Sequence, residues 1–73
     1  MIPYKNINGD SGVISYEYGE DYIKVKFKDN SIYVYTYESA GKIHIDKMKQ
    51  LADLGQGLNA YINTNVKYLY VKN

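Results

Sequence analysis

Hydrophobic and polar residues alternate along two neighbouring segments in the first half of the chain. The segments cover residues 22–28 and 31–37, and the short polar stretch Asp29-Asn30 separates them. Strict alternation predicts β-strands, and the short connection predicts that the two strands form an antiparallel hairpin. Residues 13–18 are also rich in β-forming side chains and precede a turn at residues 19–21, which predicts one more strand before the hairpin.

The period of the pattern changes in the second half of the chain. Apolar or small residues recur at helical spacing, which predicts an amphipathic helix of about three turns that ends at Gly55 and Gly57. The inner positions of this helix are Ile45, Met48, Leu51, Ala52 and Gly55. A shorter second helix is expected to follow, with Leu58, Tyr61, Ile62 and Val66 on its inner side.

These elements predict an α+β fold. A three-stranded antiparallel β-meander is followed by two short helices, which pack on one face because a sheet of this size cannot bury its apolar side alone. Residues 38–44 form a connection, and residues 68–71 form an extended or frayed tail. Residues 1–12, with the turn cluster Asn8-Gly9-Asp10-Ser11-Gly12, are expected to be a flexible arm, so residues 13–73 make the single domain.

Composition and charge exclude several classes of function. Nine lysines and no arginine oppose eight acidic residues, for a net charge of +1, which is too weak for a dedicated duplex binder. Lysine also cannot replace the bidentate arginine fork. With no cysteine and a single histidine, His44, no metal site or cofactor is expected, and the serines have no base beside them. We therefore predict a cytoplasmic protein that is not an enzyme, has no small-molecule substrate and does not enter a membrane.

The register of the hairpin decides whether lysines and tyrosines share one face of the sheet. A two-residue loop at residues 29–30 would pair Lys26 with Tyr33 and Lys24 with Tyr35. Lysines and tyrosines would then form one outer surface, opposite a core face of small apolar side chains. The burial of those apolar side chains favours this register.

A three-residue loop at residues 29–31 would shift the pairing by one residue. Tyr33, Tyr35 and Tyr37 would then turn towards the core, and Ile32 and Val34 would lie beside the lysines. The dipeptide Asp-Asn lacks the glycine of the strongest two-residue turns, which favours this second register. The chemistry of the residues leaves both registers open.

Lysines interleaved with aromatic rings are typical of surfaces that bind nucleic acids. The number of tyrosines, ten, is weak evidence for a function, because a low-GC genome enriches tyrosine together with lysine, asparagine and isoleucine. Their positions carry more information. The candidate nucleic-acid-binding residues are Lys24, Lys26, Lys28, Tyr33, Tyr35 and Tyr37. The simpler interpretation of the lysines is the solvated face of an amphipathic strand.

An ordered set of motifs extends over most of residues 13–70. It comprises Ile23-Lys24-Val25-Lys26-Phe27, Tyr33-Val34-Tyr35, Gly55, Gly57, Asn59, Tyr61-Ile62-Asn63, Val66 and Tyr70. Because these motifs occur together in this order and spacing, the chain resembles the KTSC domain. This small domain is found at the C-terminus of some lysyl-tRNA synthetases and as a free-standing bacterial protein. The family-motif residues would be Tyr33, Tyr35, Tyr61 and Asn63.

The resemblance implies a small non-enzymatic module and suggests RNA binding. In relatives the residue between the two tyrosines is often polar, a pattern that implies inward tyrosines and favours the three-residue loop. The leading hypothesis, motivated by the lysine stripe and by the family's association with a tRNA-charging enzyme, is a module that binds RNA or single-stranded nucleic acid through a Lys/Tyr face of the sheet, with whichever tyrosines are exposed. The alternative is a protein-interaction module or a homodimer, which the missing arginine and the near-neutral charge favour. The second register would favour it as well, because Ile32 and Val34 would then form an exposed apolar strip.

Overall fold

The computed structural model describes residues 1–7, 9 and 11–72, and within them it confirms the predicted α+β class. Four strands form an antiparallel sheet in sequence order, namely β1 (Ile2–Pro3), β2 (Val13–Tyr18), β3 (Tyr22–Phe27) and β4 (Ile32–Thr36). The helices are α1 (Tyr37–Ala40), α2 (Lys42–Leu54) and α3 (Leu58–Tyr61), and α3 continues as a π-helical segment (Ile62–Val66). Asn8, Asp10 and Asn73 lie outside the described residues, so the predicted turn cluster is described only in part.

One face of the sheet, the inner face, packs against α2, α3 and the π-helical segment. The buried core consists of Tyr4, Val13, Tyr16, Ile23, Val25, Tyr35, Ile45, Met48, Ala52, Leu58, Ile62 and Val66. The helical periodicity therefore identified most of the buried helix positions correctly. Leu51 and Tyr61, which were also predicted to be inner residues, are only half-buried.

The sheet has one strand more than the sequence predicts. The additional strand, β1, lies within residues 1–12, the segment predicted to be an arm. The same segment continues into the core, because the Tyr4 N–H donates to the Ile14 carbonyl at 2.9 Å and the Tyr4 ring is 6 % exposed. Further along, the Ile7 N–H donates to the Gly55 carbonyl at 2.8 Å. A two-residue strand has no detectable alternation, so the pattern of the sequence could not reveal it.

The β3–β4 hairpin has a three-residue loop, which consists of Lys28, Asp29 and Asn30. The Phe27 N–H donates to the Ser31 carbonyl at 2.9 Å, and Asn30 has a φ of +70°, a left-handed conformation that asparagine tolerates better than most residues. The Asp29 carboxylate accepts hydrogen bonds from the Ser31 hydroxyl at 2.6 Å and the Ser31 N–H at 3.0 Å, which lower the pKa of Asp29. A left-handed residue closing a three-residue loop is a favoured hairpin geometry.

This loop decides the question that the sequence leaves open. Ile23 pairs with Tyr35 and Val25 pairs with Tyr33, so both tyrosines lie on the inner face, as in the second predicted register. The pairing is nevertheless displaced from that prediction, because the loop begins one residue earlier. Lys26 now lies beside Ile32 and Lys24 beside Val34 on the opposite face. We call this opposite face, with Ser15, Glu17, Lys24, Lys26, Ile32 and Val34, the outer face.

Strand β4 ends one residue before the position predicted for it. The Thr36 hydroxyl accepts a hydrogen bond from the Ser39 N–H at 2.9 Å, and the Ser39 hydroxyl accepts one from the Thr36 N–H at 3.0 Å. This reciprocal cap starts α1 at Tyr37, so Tyr37 is a helical residue and not the end of a strand. Gly41, with a φ of +96°, separates α1 from α2, and most of the predicted connection is therefore helical.

Two tyrosines of strand β2 form hydrogen bonds to a residue near the end of α2. The Tyr16 and Tyr18 hydroxyls donate to the two carboxylate oxygens of Asp53 at 2.8 and 2.6 Å. Burial and the hydrogen bond to Asp53 raise the pKa of Tyr16 to about 12, and the same carboxylate raises the pKa of Tyr18. Every oxygen of this cluster has a partner, so we interpret it as a structural contact.

Candidate binding cleft

A cleft of about 470 Å³ opens beside the β3–β4 loop. Its other sides are the second helical region, which comprises α3, the π-helical segment and its C-cap Lys67, and the C-terminal tail, residues 68–72. Its volume lies within the range of roughly 300–1,000 Å³ that is common for ligand sites. The lining residues are Gly12, Phe27, Lys28, Asp29, Ser31, Tyr33, Tyr35, Asn59, Ile62, Asn63, Lys67, Tyr68 and Tyr70. The cleft therefore combines aromatic rings, side-chain amides and lysines, contributed by segments that lie far apart in the sequence.

Aromatic rings form one continuous wall of the cleft. The ring centroids of Phe27 and Tyr33 are 5.6 Å apart, and those of Tyr33 and Tyr70 are 4.7 Å apart. Tyr70 also contacts Tyr35 edge to face at 6.5 Å. The tail that carries Tyr70 is held beside β4, because the Val71 N–H donates to the Val34 carbonyl at 2.7 Å. Aromatic packing at these distances orders the rings and leaves part of Tyr33 accessible, at 37 % exposure.

Tyr35 lies at the floor of the cleft with only 1 % of its surface exposed. Its hydroxyl has no hydrogen-bond partner among the described residues. Among these residues, every side-chain oxygen or nitrogen that is sealed from solvent has a hydrogen-bond partner. The Tyr35 hydroxyl has none, so it is not sealed, and it opens into the cleft that Tyr35 lines. Burial, followed by the nearby Tyr33 and Tyr70 hydroxyls, raises the pKa of Tyr35 to about 12. The hydroxyl is therefore protonated at any physiological pH and can donate a hydrogen bond.

The opposite wall comes from one side of the second helical region. Asn59, Asn63 and Lys67 follow each other at intervals of four residues, which places them on the same side. Their direct neighbours in sequence, Leu58 and Ile62, are buried in the core, and Ile62 also contributes to the lining of the cleft. The amides of Asn59 and Asn63 each offer a donor and an acceptor to a ligand.

Three lysines surround the aromatic wall. Lys28 and Lys67 line the cleft, and neither forms an ion pair within the described part of the chain. The Lys67 ammonium lies 5.4 Å from the centroid of the Tyr68 ring, and the Lys72 ammonium lies 5.4 Å from that of Tyr70. Cationic groups above aromatic rings can neutralise a phosphate while the rings stack on a base.

The structure does not bring the predicted lysines and tyrosines onto one face of the sheet. Lys24 and Lys26 are half-buried on the outer face, where the Lys24 ammonium is 3.7 Å from the Glu17 carboxylate. Tyr33 and Tyr35 lie on the inner face. Only Lys28, which is in the loop, joins these tyrosines at the cleft. The predicted set is thus divided by the hairpin register.

Tyr37, the third candidate tyrosine, lies away from the cleft. Its hydroxyl donates to the Asp46 carboxylate at 2.9 Å, and this hydrogen bond raises the pKa of Tyr37. The Lys42 and Lys49 ammonium groups are 5.7 and 5.5 Å from the centroid of its ring. These contacts join α1 to α2, so Tyr37 has a structural role.

The four family-motif residues are also divided. Tyr33, Tyr35 and Asn63 line the cleft, whereas the Tyr61 hydroxyl lies 2.8 Å from Nδ1 of His44.

Lys67 and Tyr68 were missed among the candidate residues. The four-residue spacing from Asn59 to Lys67 was the available signal, because it marks a polar stripe beside the apolar one.

Within residues 1–7, 9 and 11–72, no group of three or more His, Cys, Asp or Glu side chains could hold a metal ion. None of the helices in this part of the chain is long and apolar enough to cross a membrane. No family model, curated protein or solved structure matches the chain. The resemblance to the KTSC domain stays a prediction, so the function has to be inferred from the geometry of the cleft.

Proposed function

We propose that this protein is a small binding module for single-stranded nucleic acid, with RNA as its main ligand, and that the cleft is the binding site. The observation that carries the proposal is the convergence of Lys28 and Lys67 with the rings of Tyr33, Tyr68 and Tyr70 around one concave surface. Stacking of a base on an aromatic side chain contributes about 1–3 kcal/mol, and lysines attract the phosphates on either side. The module binds its ligand and catalyses no reaction.

The proposed site differs from the Lys/Tyr sheet face that the sequence predicts. Lys24 and Lys26 are not part of it, because they lie on the other side of the sheet from Tyr33. The net charge of only +1 indicates that binding depends on the local arrangement of lysines and rings more than on a general attraction. Affinity is expected to be modest, with little discrimination by phosphate contacts alone.

Two matched pairs of substitutions test the location of the site. Lys28→Gln with Lys67→Gln removes two charges at the cleft, and Lys24→Gln with Lys26→Gln removes two from the outer face. Binding of a fluorescent RNA pentamer should weaken at least about tenfold in the first variant at low salt, and the slope of log affinity against log salt should fall by about 1.4. The second variant should bind like the wild type.

The outer-face variant is also the control, since both variants carry the same net charge of −1, two units below the wild type. Glutamine keeps the first two methylenes of the lysine side chain and removes the charge, and the two variants lose the same number of side-chain atoms. Loss of binding in the outer-face variant alone would place the site on the sheet face and contradict the proposal. Circular dichroism spectra of all three proteins would verify that they are folded.

A second candidate function is self-association through the outer face, which the 52 % exposure of Ile32 favours. Ile32 and the adjacent Val34 form an apolar strip between the lysines of β3 and the edge of the sheet. If this strip joins two copies, sedimentation equilibrium of the wild type should give twice the chain mass of 8.4 kDa, and Ile32→Lys should restore the single-chain mass. A wild-type mass of one chain at high concentration would exclude this candidate.

A further inference from the structure

We infer that the cleft recognises a single unpaired nucleobase, and that the Tyr35 hydroxyl is the group on its floor that hydrogen-bonds the edge of that base. This inference rests on the proposed function and adds the part of the ligand that the cleft recognises. Tyr35 is the residue that decides it, because its buried hydroxyl is the one polar group of the floor that faces the cleft without a partner among the described residues.

The Tyr35 hydroxyl opens into the cleft, but only 1 % of the residue is exposed, so little water can reach the hydroxyl in the free protein and its hydrogen-bonding capacity is poorly used. Such a group is expected where a ligand supplies the missing hydrogen bond. The other tyrosine that is comparably buried in the sheet, Tyr16, donates its hydroxyl to Asp53, and the Tyr4 hydroxyl accepts a hydrogen bond from the Leu58 N–H at 3.3 Å. Tyr35 therefore differs from the other two buried tyrosines, Tyr4 and Tyr16, in having its hydroxyl directed into the cleft without a protein partner among the described residues.

The surroundings of the hydroxyl fit a base better than a phosphate or a sugar alone. The accessible ring of Tyr33 offers a flat surface for stacking, and the amides of Asn59 and Asn63 on the opposite wall offer donors and acceptors to a base edge. Lys28 and Lys67 line the same cleft, where they can contact the neighbouring phosphates. The volume of about 470 Å³ is that of a site for a small ligand or for one unit of a longer ligand. Oligoadenylate is the natural probe, because asparagine side chains pair well with the edge of adenine.

A double-mutant cycle between protein and ligand tests the inference. The protein variants are the wild type and Tyr35→Phe, and the probes are an adenosine pentamer and the same pentamer with abasic riboses. We expect Tyr35→Phe to weaken binding of the intact pentamer about fivefold, the usual effect of one neutral hydrogen bond, and to leave binding of the abasic pentamer unchanged. Losses of equal size on both pentamers, or no loss on either, would overturn the inference.

Two further measurements separate the outcomes. Tyr35→Phe should keep or slightly raise the melting temperature, since it removes a hydroxyl that has no partner in the free protein, whereas a structural role would lower it. Tyr16→Phe is the matched control, and it should lower the melting temperature without changing RNA affinity, because its hydroxyl is bonded to Asp53 away from the cleft. A melting temperature that falls in Tyr35→Phe as it does in Tyr16→Phe would count against the inference.

The result also distinguishes this inference from the function on which it rests. If Tyr35→Phe binds both pentamers like the wild type while the Lys28 and Lys67 variant loses affinity, the cleft binds nucleic acid but the hydroxyl does not read a base. If the wild type binds neither pentamer at low salt, the proposed function is overturned and this inference with it.

Discussion

Replacing Tyr4 with alanine should lower the free energy of unfolding by about 3–5 kcal/mol, the usual cost of removing a large buried aromatic side chain. The Tyr4 ring is 6 % exposed and contacts Tyr16 edge to face, with centroids 6.5 Å apart. Its hydroxyl also accepts a hydrogen bond from the N–H of Leu58, at the start of α3. A loss of this size is a large part of the stability of a 73-residue domain, so much of the variant should be unfolded at 37 °C.

Urea unfolding followed by circular dichroism measures this loss, and Ile2→Ala is its matched control. Ile2 lies two residues away in the same segment but is 51 % exposed, so its truncation should cost well under about 1 kcal/mol. An unchanged midpoint for Tyr4→Ala would mean that residues 1–7 behave as an arm independent of the domain, as the sequence alone predicts. The comparison therefore tests the placement of the first strand directly.

Substitution of Gly55 with alanine should have the second large effect on stability. Gly55 ends α2 in the left-handed conformation, with a φ of +87°, which costs a side chain about 1–2 kcal/mol. A Cβ at this position would also lie 2.5 Å from the Cβ of Lys5, an atom close to the backbone that cannot easily move aside. The resulting displacement of the N-terminal segment should add a further ~1–3 kcal/mol.

Gly57→Ala is the matched control for this prediction. Gly57 has a similar left-handed φ of +82°, but a Cβ there would meet only the Leu51 side chain, at an ordinary distance of 3.6 Å. The two variants should therefore share the backbone penalty, and the additional loss in Gly55→Ala should report the contact with Lys5. Thermal unfolding of both variants measures the difference. Equal losses would contradict the close packing of Lys5 against the end of α2.

Local patterns in the sequence determined most of the secondary structure of this protein. The alternation over β3 and β4 and the helical spacing of Ile45, Met48 and Ala52 depend only on which side of an element faces the core. Such periodicity is a property of neighbouring residues, so it survives without knowledge of the fold. The two helical regions and the α+β class were therefore predictable.

The N-terminal strand and the hairpin register depended on interactions that no local pattern records. Strand β1 is only two residues long, and it is held by its pairing with β2 and by the packing of Tyr4 on residues remote in sequence. The register was open because the chemistry of the sequence supported both predicted loops. The observed loop begins one residue before either of them, and it is stabilised by the left-handed Asn30 and by the hydrogen bonds between Asp29 and Ser31. A single shift of register exchanges the two faces of a strand, so a small difference in turn geometry had a large effect.

The candidate site shows the same division between sequence and tertiary structure. The sequence alone identified lysine and tyrosine as the residue types for nucleic-acid binding, and it singled out Lys28, Tyr33, Tyr35 and Asn63. Only the tertiary structure separated these residues from Lys24, Lys26 and Tyr37 and added Lys67 and Tyr68 from the end of the chain. A cleft is formed by elements that meet after folding, so its composition follows from packing between distant segments and not from the spacing of residues within any one of them.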